Sequence, residues 1–227
     1  MPITPPVEQW LKDAGYDWHC FISYPRIKTK DGNDDLTHPI SQCARGVKEA
    51  IIQGLSFSIP KPRVFLDLDD IPPGNKWEPT VKGALCKSLV MVAICAGIYY
   101  HPEHEWCGLE WAAMDHLSEM RFPGDKLLTI VPVMVKIEKP LPPTVERPQW
   151  VNISGLMTGR RRFRPTDRFN NIIYTQVVSH IEAVAQALRQ KEVKTDCAHF
   201  SFPDKSAFSD WETVSQLPPF YEKPMEG

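Results

Sequence analysis

Residues 88–111 read SLVMVAICAGIYYHPEHEWCGLEW. Leu89–Cys95 is apolar at every position, as a strand buried on both faces of a parallel sheet must be. The run then breaks at glycine and aromatics and passes through a His/Pro/Glu loop. His104–Met120 follows with the spacing of a helix. One strand, one loop and one helix start therefore lie in a single stretch, and the same unit recurs on either side. Upstream, His19–Tyr24 (HCFISY) is a strand closed by Pro25, and Arg63–Leu68 (RVFLDL) is a second. Downstream, Leu127–Val135 (LLTIVPVMV) is a strand with Pro132 near its end, and Gln149–Ile153 is a short fifth. Between them, Pro39–Leu55 places Ile40, Cys43, Val47, Ala50 and Ile51 at helical spacing. Trp77–Ser88 reads as a helix with Pro79 in its first turn, where a missing N–H costs nothing. Asn170–Gln190 reads as an amphipathic helix.

Strands alternating with helices predict a parallel sheet wrapped on both faces. Five strands at this spacing predict an α/β, flavodoxin-like, doubly wound five-stranded parallel sheet with a short C-terminal extension. In such a sheet ligands bind beyond the carboxyl ends of the strands. The loops after Tyr24, Leu68, Cys95 and Val135 are thus the places for chemistry. The chain divides into an N-terminal segment (1–15), one domain (16–190) and an extension (191–227). The aromatics of that extension, Phe200, Phe202, Phe208, Trp211, Phe220 and Tyr221, predict packing on the domain or on a partner.

Composition narrows the class. The chain has 227 residues, with 26 Lys and Arg against 28 Asp and Glu, a net charge of −2. Near-neutrality argues against a general nucleic-acid coat. Proline is in excess, at 22 residues, roughly twice the usual share. Disorder would pair that excess with few apolar residues, whereas here 42% are apolar and 7 are Trp. The N-terminus lacks the basic start and apolar run of a signal peptide. Leu89–Ile98 is too short to span a bilayer, so no membrane contact is expected. The six cysteines (20, 43, 86, 95, 107, 197) have no CxxC and no regular spacing. Buried thiols in a reducing cytoplasm are expected rather than a disulfide framework.

The strand-end loops offer an arginine, carboxylates and aromatics. Trp106 and Glu110 are four apart and share a helix face. A carboxylate beside flat aromatics suits a planar cation, because the ring face attracts it and the carboxylate stabilises developing positive charge. Glu110 read as an ordinary surface acid and Trp106 as core is the plainer alternative. Three other clusters compete. Asp67, Asp69 and Asp70 fit a magnesium-dependent phosphotransferase, although the D-x-D strand is second rather than first. His101, His104 and Cys107, with His116 beyond, are metal-capable types with no evident fourth ligand; no metal is expected. Gly159–Arg164 (GRRRFR) with Arg168 could bind phosphate or nucleic acid, but a solvated loop is the simpler account.

Four blocks in order resemble the Toll/interleukin-1 receptor (TIR) domain. DWHCFISYPR (17–26) looks like its first box and VFLDLDDIPPGNKW (64–77) like its second strand and BB loop with Gly74. Ser88–Trp111 looks like its third strand and W-C-x-x-E helix start, and LLTIVPVMV like its fourth strand. The resemblance covers about residues 16–190 and implies specific chemistry. Many TIR domains of bacteria, plants and one animal neuronal protein cleave NAD+ at the nicotinamide–ribose bond. The resemblance makes Glu110 the catalytic residue and Ser23, Tyr24, Arg26, Trp77 and Trp106 substrate-binding, with NAD+ as substrate and no cofactor. It further implies homotypic TIR–TIR assembly and, by likeness to Thoeris-type bacterial antiphage proteins, a cytoplasmic enzyme. Its product, a cyclic ADP-ribose isomer or a conjugate, would activate a separate effector. A non-catalytic TIR scaffold is the alternative. Pro25, Pro72, Pro73 and Pro102 fall in the pocket loops and predict a stiffened BB loop.

Overall fold

The computed structural model describes residues 7–71, 76–101, 104–124, 128–135, 149–156 and 163–203. Five strands form one all-parallel sheet in the order β2-β1-β3-β4-β5. They are β1 (Trp18–Ser23), β2 (Val64–Phe65), β3 (Ser88–Cys95), β4 (Ile130–Met134) and β5 (Val151–Asn152). Every residue of β3 is buried, as its unbroken apolar run requires. This is the doubly wound sheet expected from the alternation.

Strand alternation sorts the core into two layers. Cys20, Ile22, Val90, Val92, Ile94, Val131 and Val133 face one side. There they meet α2 (Pro39–Leu55) and the C-terminal helical run. Phe21, Phe65, Met91, Ala93, Cys95 and Met134 face the other. They meet α4 (Trp77–Cys86) and α5 (Glu105–Arg121). Arg121 ends α5 as a buried cation. Its Nη1 donates to the Ser88 carbonyl at 2.9 Å and its Nη2 to the Cys86 carbonyl at 2.7 Å. It thereby satisfies the end of α4 and the start of β3, and its guanidinium lies over the Tyr16 ring.

Several expectations are corrected. Strand β2 stops at Phe65 rather than Leu68, and Asp67–Asp70 is a single helical turn, α3. Asp70 causes this: its Oδ2 accepts from the Leu66 N–H and from Lys48 Nζ, both at 2.7 Å, which pulls the chain round. The last helix begins earlier, as α6 (Asp167–Ile172), because Thr166 Oγ1 accepts from the Phe169 N–H. It runs through a π-helical segment, Ile173–Val178, into α7 (Ser179–Gln190). Residues Val7–Asp13 form a helix, α1, and Leu11 on it is buried.

The cysteine reading is corrected at two positions. Cys86 and Cys197 form a disulfide across 111 residues. Residues beyond α7 double back: the Thr195 N–H donates to the Ala14 carbonyl at 3.0 Å, and Cys197 then reaches the end of α4. Nothing in the spacing marks that pairing, because it depends on where the extension docks. Cys20, Cys43, Cys95 and Cys107 are buried and unbridged, as expected. Phe200 and Phe202 pack against the α4/α5 layer, so the described part of the extension lies on the domain. Most of the BB loop (72–75), residues 159–162 of the basic run, and residues 204–227 with their four aromatics lie outside the described residues. No helix among the described residues is long and apolar enough to cross a membrane.

Candidate active site

Parallel strands aim their carboxyl ends at one edge of the sheet, and a cavity of about 550 Å³ opens there. Tyr24 and Arg26 reach it from the end of β1, Asp67 from α3, Trp77 from the start of α4, and Trp106 and Glu110 from the first turns of α5. Five of the six residues expected at the site thus line one cavity. Helical spacing brings Trp106 and Glu110 to it together.

Ser23 does not line the cavity. It sits behind Glu110, where its hydroxyl donates to Glu110 Oε2 at 2.6 Å. Tyr99 OH lies 2.7 Å from the same Ser23 oxygen. With the Ser23 proton committed to the carboxylate, Tyr99 donates to Ser23, and a relay Tyr99–Ser23–Glu110 results. Tyr99 belongs to the 3-10 turn Gly97–Tyr100 after β3 and is fully buried. Sequence reading missed its role. The signal was its place directly after the central strand, where a buried tyrosine needs a partner for its hydroxyl.

Glu110 is only 6% exposed. Burial pushes its pKa up to about 8; the Ser23 hydrogen bond opposes this, nearby Asp67 adds to it, and Arg26 opposes it more weakly. Asp67 also holds Arg26: its Oδ2 accepts from Arg26 Nε at 2.7 Å and pairs with Nη2 at 2.6 Å. The Arg26 guanidinium stacks 5.3 Å from the Trp77 ring centroid, and Trp77 meets Trp106 edge-to-face at 4.5 Å. The wall is thus a ladder of carboxylate, guanidinium and two indoles, with Glu110 beyond it.

Three buried polar atoms around the cavity have no hydrogen-bond partner: Tyr24 OH, Asp67 Oδ1 and Trp77 Nε1. Burial, and then the Asp67 charge, raise the Tyr24 pKa, yet the phenol and that carboxylate do not complete a hydrogen bond. Orphaned donors and acceptors inside a cavity are costly unless something fills it. His38 and His104 also line the cavity. His38 caps α2 by accepting from the Ile40 N–H, and burial lowers its pKa.

The competing clusters are placed too. Asp69 pairs with Arg45 and Lys48, and Asp70 with Lys48, so two of the three aspartates serve as ion-pair partners of α2. Cys107 is buried, and burial followed by the Glu110 charge keeps its thiol protonated well above the ordinary range. Among the described residues no group of three or more His, Cys, Asp or Glu side chains is placed to hold a metal ion.

A doubly wound parallel sheet with a buried carboxylate and paired indoles in a cavity at its strand ends defines an α/β domain whose cavity lies where such sheets bind their ligands. Residues 60–165 match the family model of the TIR domain. The match runs from before β2 to beyond β5 and contains Asp67, Trp77, Trp106 and Glu110; β1, with Ser23, Tyr24 and Arg26, lies upstream of it. No curated protein matches the chain.

Proposed function

We propose that this protein cleaves NAD+ at the nicotinamide–ribose bond, with Glu110 as the catalytic residue. One observation carries the reading: a buried carboxylate faces a cavity walled by two indoles and an arginine. Nicotinamide in NAD+ is a planar cation, and Trp77 and Trp106 offer it ring surfaces. The C1′–N bond breaks heterolytically. Both electrons leave with the ring nitrogen, so nicotinamide departs neutral and needs no general acid. Positive charge is left on the ribose, as in glycoside hydrolysis. Ionised Glu110 stabilises that charge from a site poor in water, where a carboxylate acts most strongly. Arrival of the cationic ring itself favours the ionised form of Glu110. Attack by water on C1′, with loss of its proton, gives ADP-ribose; attack by a nucleophile of the same molecule gives a cyclic isomer, and by a second molecule a conjugate.

The wider reading follows from the same resemblance. The domain assembles with copies of itself in the cytoplasm, and its product is a nucleotide signal in bacterial antiphage defence that activates a separate effector. The test is free nicotinamide released from NAD+ by the purified, assembled protein, with product mass separating hydrolysis from cyclisation or conjugation. Assembly without any nicotinamide release would instead identify a TIR scaffold.

A further inference from the structure

The aromatic wall of the cavity does not end at Trp106. Phe202, from the extension, packs against Trp106 with ring centroids 5.9 Å apart, and Phe200 meets Phe202 edge-to-face at 5.7 Å. Lys82 of α4 places its Nζ 5.2 Å from the Phe202 centroid. Five residues before Phe202, Cys197 is bonded to Cys86 at the end of the same helix. The extension therefore crosses α4, is pinned at one end, and touches the site at the other.

We propose that residues 197–203 form a strap that braces Trp106 through Phe202, and that thiol–disulfide exchange at Cys86–Cys197 loosens or restores the site. Phe202 is then a positioning residue, because it does not line the cavity but touches a residue that does. Its ring closes a continuous path of contacts: Phe202 to Trp106, Trp106 to Trp77, Trp77 to Arg26.

The bridge suits exchange. Cys86 is 1% exposed, whereas Cys197 is half-buried between exposed Asp196 and Ala198. A reductant of the dithiol class attacks through its thiolate at the Cys197 sulfur. The S–S bond breaks and Cys86 leaves as a thiolate. The second thiolate of the dithiol then attacks the mixed disulfide and releases Cys197. The reductant ends as a disulfide, two electrons reduce the bridge, and its two protons end on the protein thiols. Arg121, donating to the Cys86 carbonyl, puts a positive charge at the residue whose sulfur must leave. In a cytoplasm, bridges of this kind are transient and redox-sensing rather than permanent.

The experiment uses the full chain. Alkylation and intact mass count thiols before and after dithiothreitol; four before and six after are expected, and six before overturns the proposal. Amide hydrogen exchange then follows residues 104–111 and 197–203. Reduction is expected to speed exchange in both segments, Cys197→Ser to do so without reductant, and Phe202→Ala to do so at 104–111 with the bridge intact. Unchanged exchange at 104–111 in all three overturns the brace. The effect on turnover rests on the NAD+ reading above: KM for NAD+ should rise roughly two- to tenfold on reduction, the range a lost aromatic pair carries, with kcat changed less. An unchanged KM in an active protein overturns the coupling. If no form turns over NAD+, that reading fails while the exchange data still decide the strap.

Discussion

Glu110 carries two demands that pull against each other. Burial pushes its pKa up to about 8, while the proposed stabilisation of a cationic ribose needs it ionised. The pH dependence follows from the first. Its folded pKa lies above the ordinary 4.5, so between those values the folded chain holds a proton the unfolded chain has lost. Stability therefore falls as pH rises from about 4.5 to about 8. Glu110→Gln should flatten that slope in denaturant titrations at pH 5 and 8, and should leave the variant more stable than wild type at pH 8 by on the order of a few kcal/mol. Activity runs the opposite way: kcat/KM should climb with pH toward about 8. Ser23→Ala removes the hydrogen bond that favours the ionised form. The acid limb of its kcat/KM profile should move to higher pH, costing about tenfold in rate at low pH per unit of displacement. Trp77→Ala should act on binding, raising KM roughly two- to thirtyfold, as expected from the energy of an indole–cation contact.

At the scale of elements, the turn from α1 into β1 shows how the extension is fastened. Gly15 sits at φ +89, and a Cβ there would lie 2.5 Å from Thr195 Oγ1. Gly15→Ala should cost about 1–2 kcal/mol from the left-handed backbone alone, and more because Thr195 must move; urea unfolding measures both. The elements legible in the sequence were those with strong periodicity. β3 announced itself by the unbroken apolar run Leu89–Cys95, α2 by its spacing of Ile40, Cys43 and Val47, and α5 by the register that joins Trp106 to Glu110. What escaped reading depended on distant partners. α3 forms because Asp70 turns back to Leu66 while held by Lys48 of α2. The π-helical segment lies where Tyr174 and Val178 crowd Gly54, a contact no local pattern encodes. The Tyr99–Ser23–Glu110 relay joins three segments: the family resemblance picked out Glu110 and Ser23, the latter as a substrate contact rather than a partner of Glu110, and Tyr99 did not stand out.

For the whole molecule, the doubly wound sheet does two jobs. It collects β1, α3, α4 and α5 at one edge to build the cavity, and it offers α4 and α5 as the surface on which the extension lies. The Cys86–Cys197 bridge closes a loop across 111 residues. A loop of that size restricts the unfolded chain enough that Cys197→Ser should lower stability by about 4–5 kcal/mol on the chain-entropy account. Denaturant midpoints with and without dithiothreitol check this, and the variant should show no further loss on reduction. The proline excess finds only part of its place at this scale: Pro25 closes β1 beside the site, while Pro72 and Pro73 lie outside the described residues. The proposed function rests on Glu110 serving to break the nicotinamide–ribose bond. Its most direct test is free nicotinamide released from NAD+ by wild type and by Glu110→Gln, both folded and assembled, at pH 8. Release by wild type with a loss of at least about a hundredfold in the variant is the predicted result; release at equal rates would contradict the account.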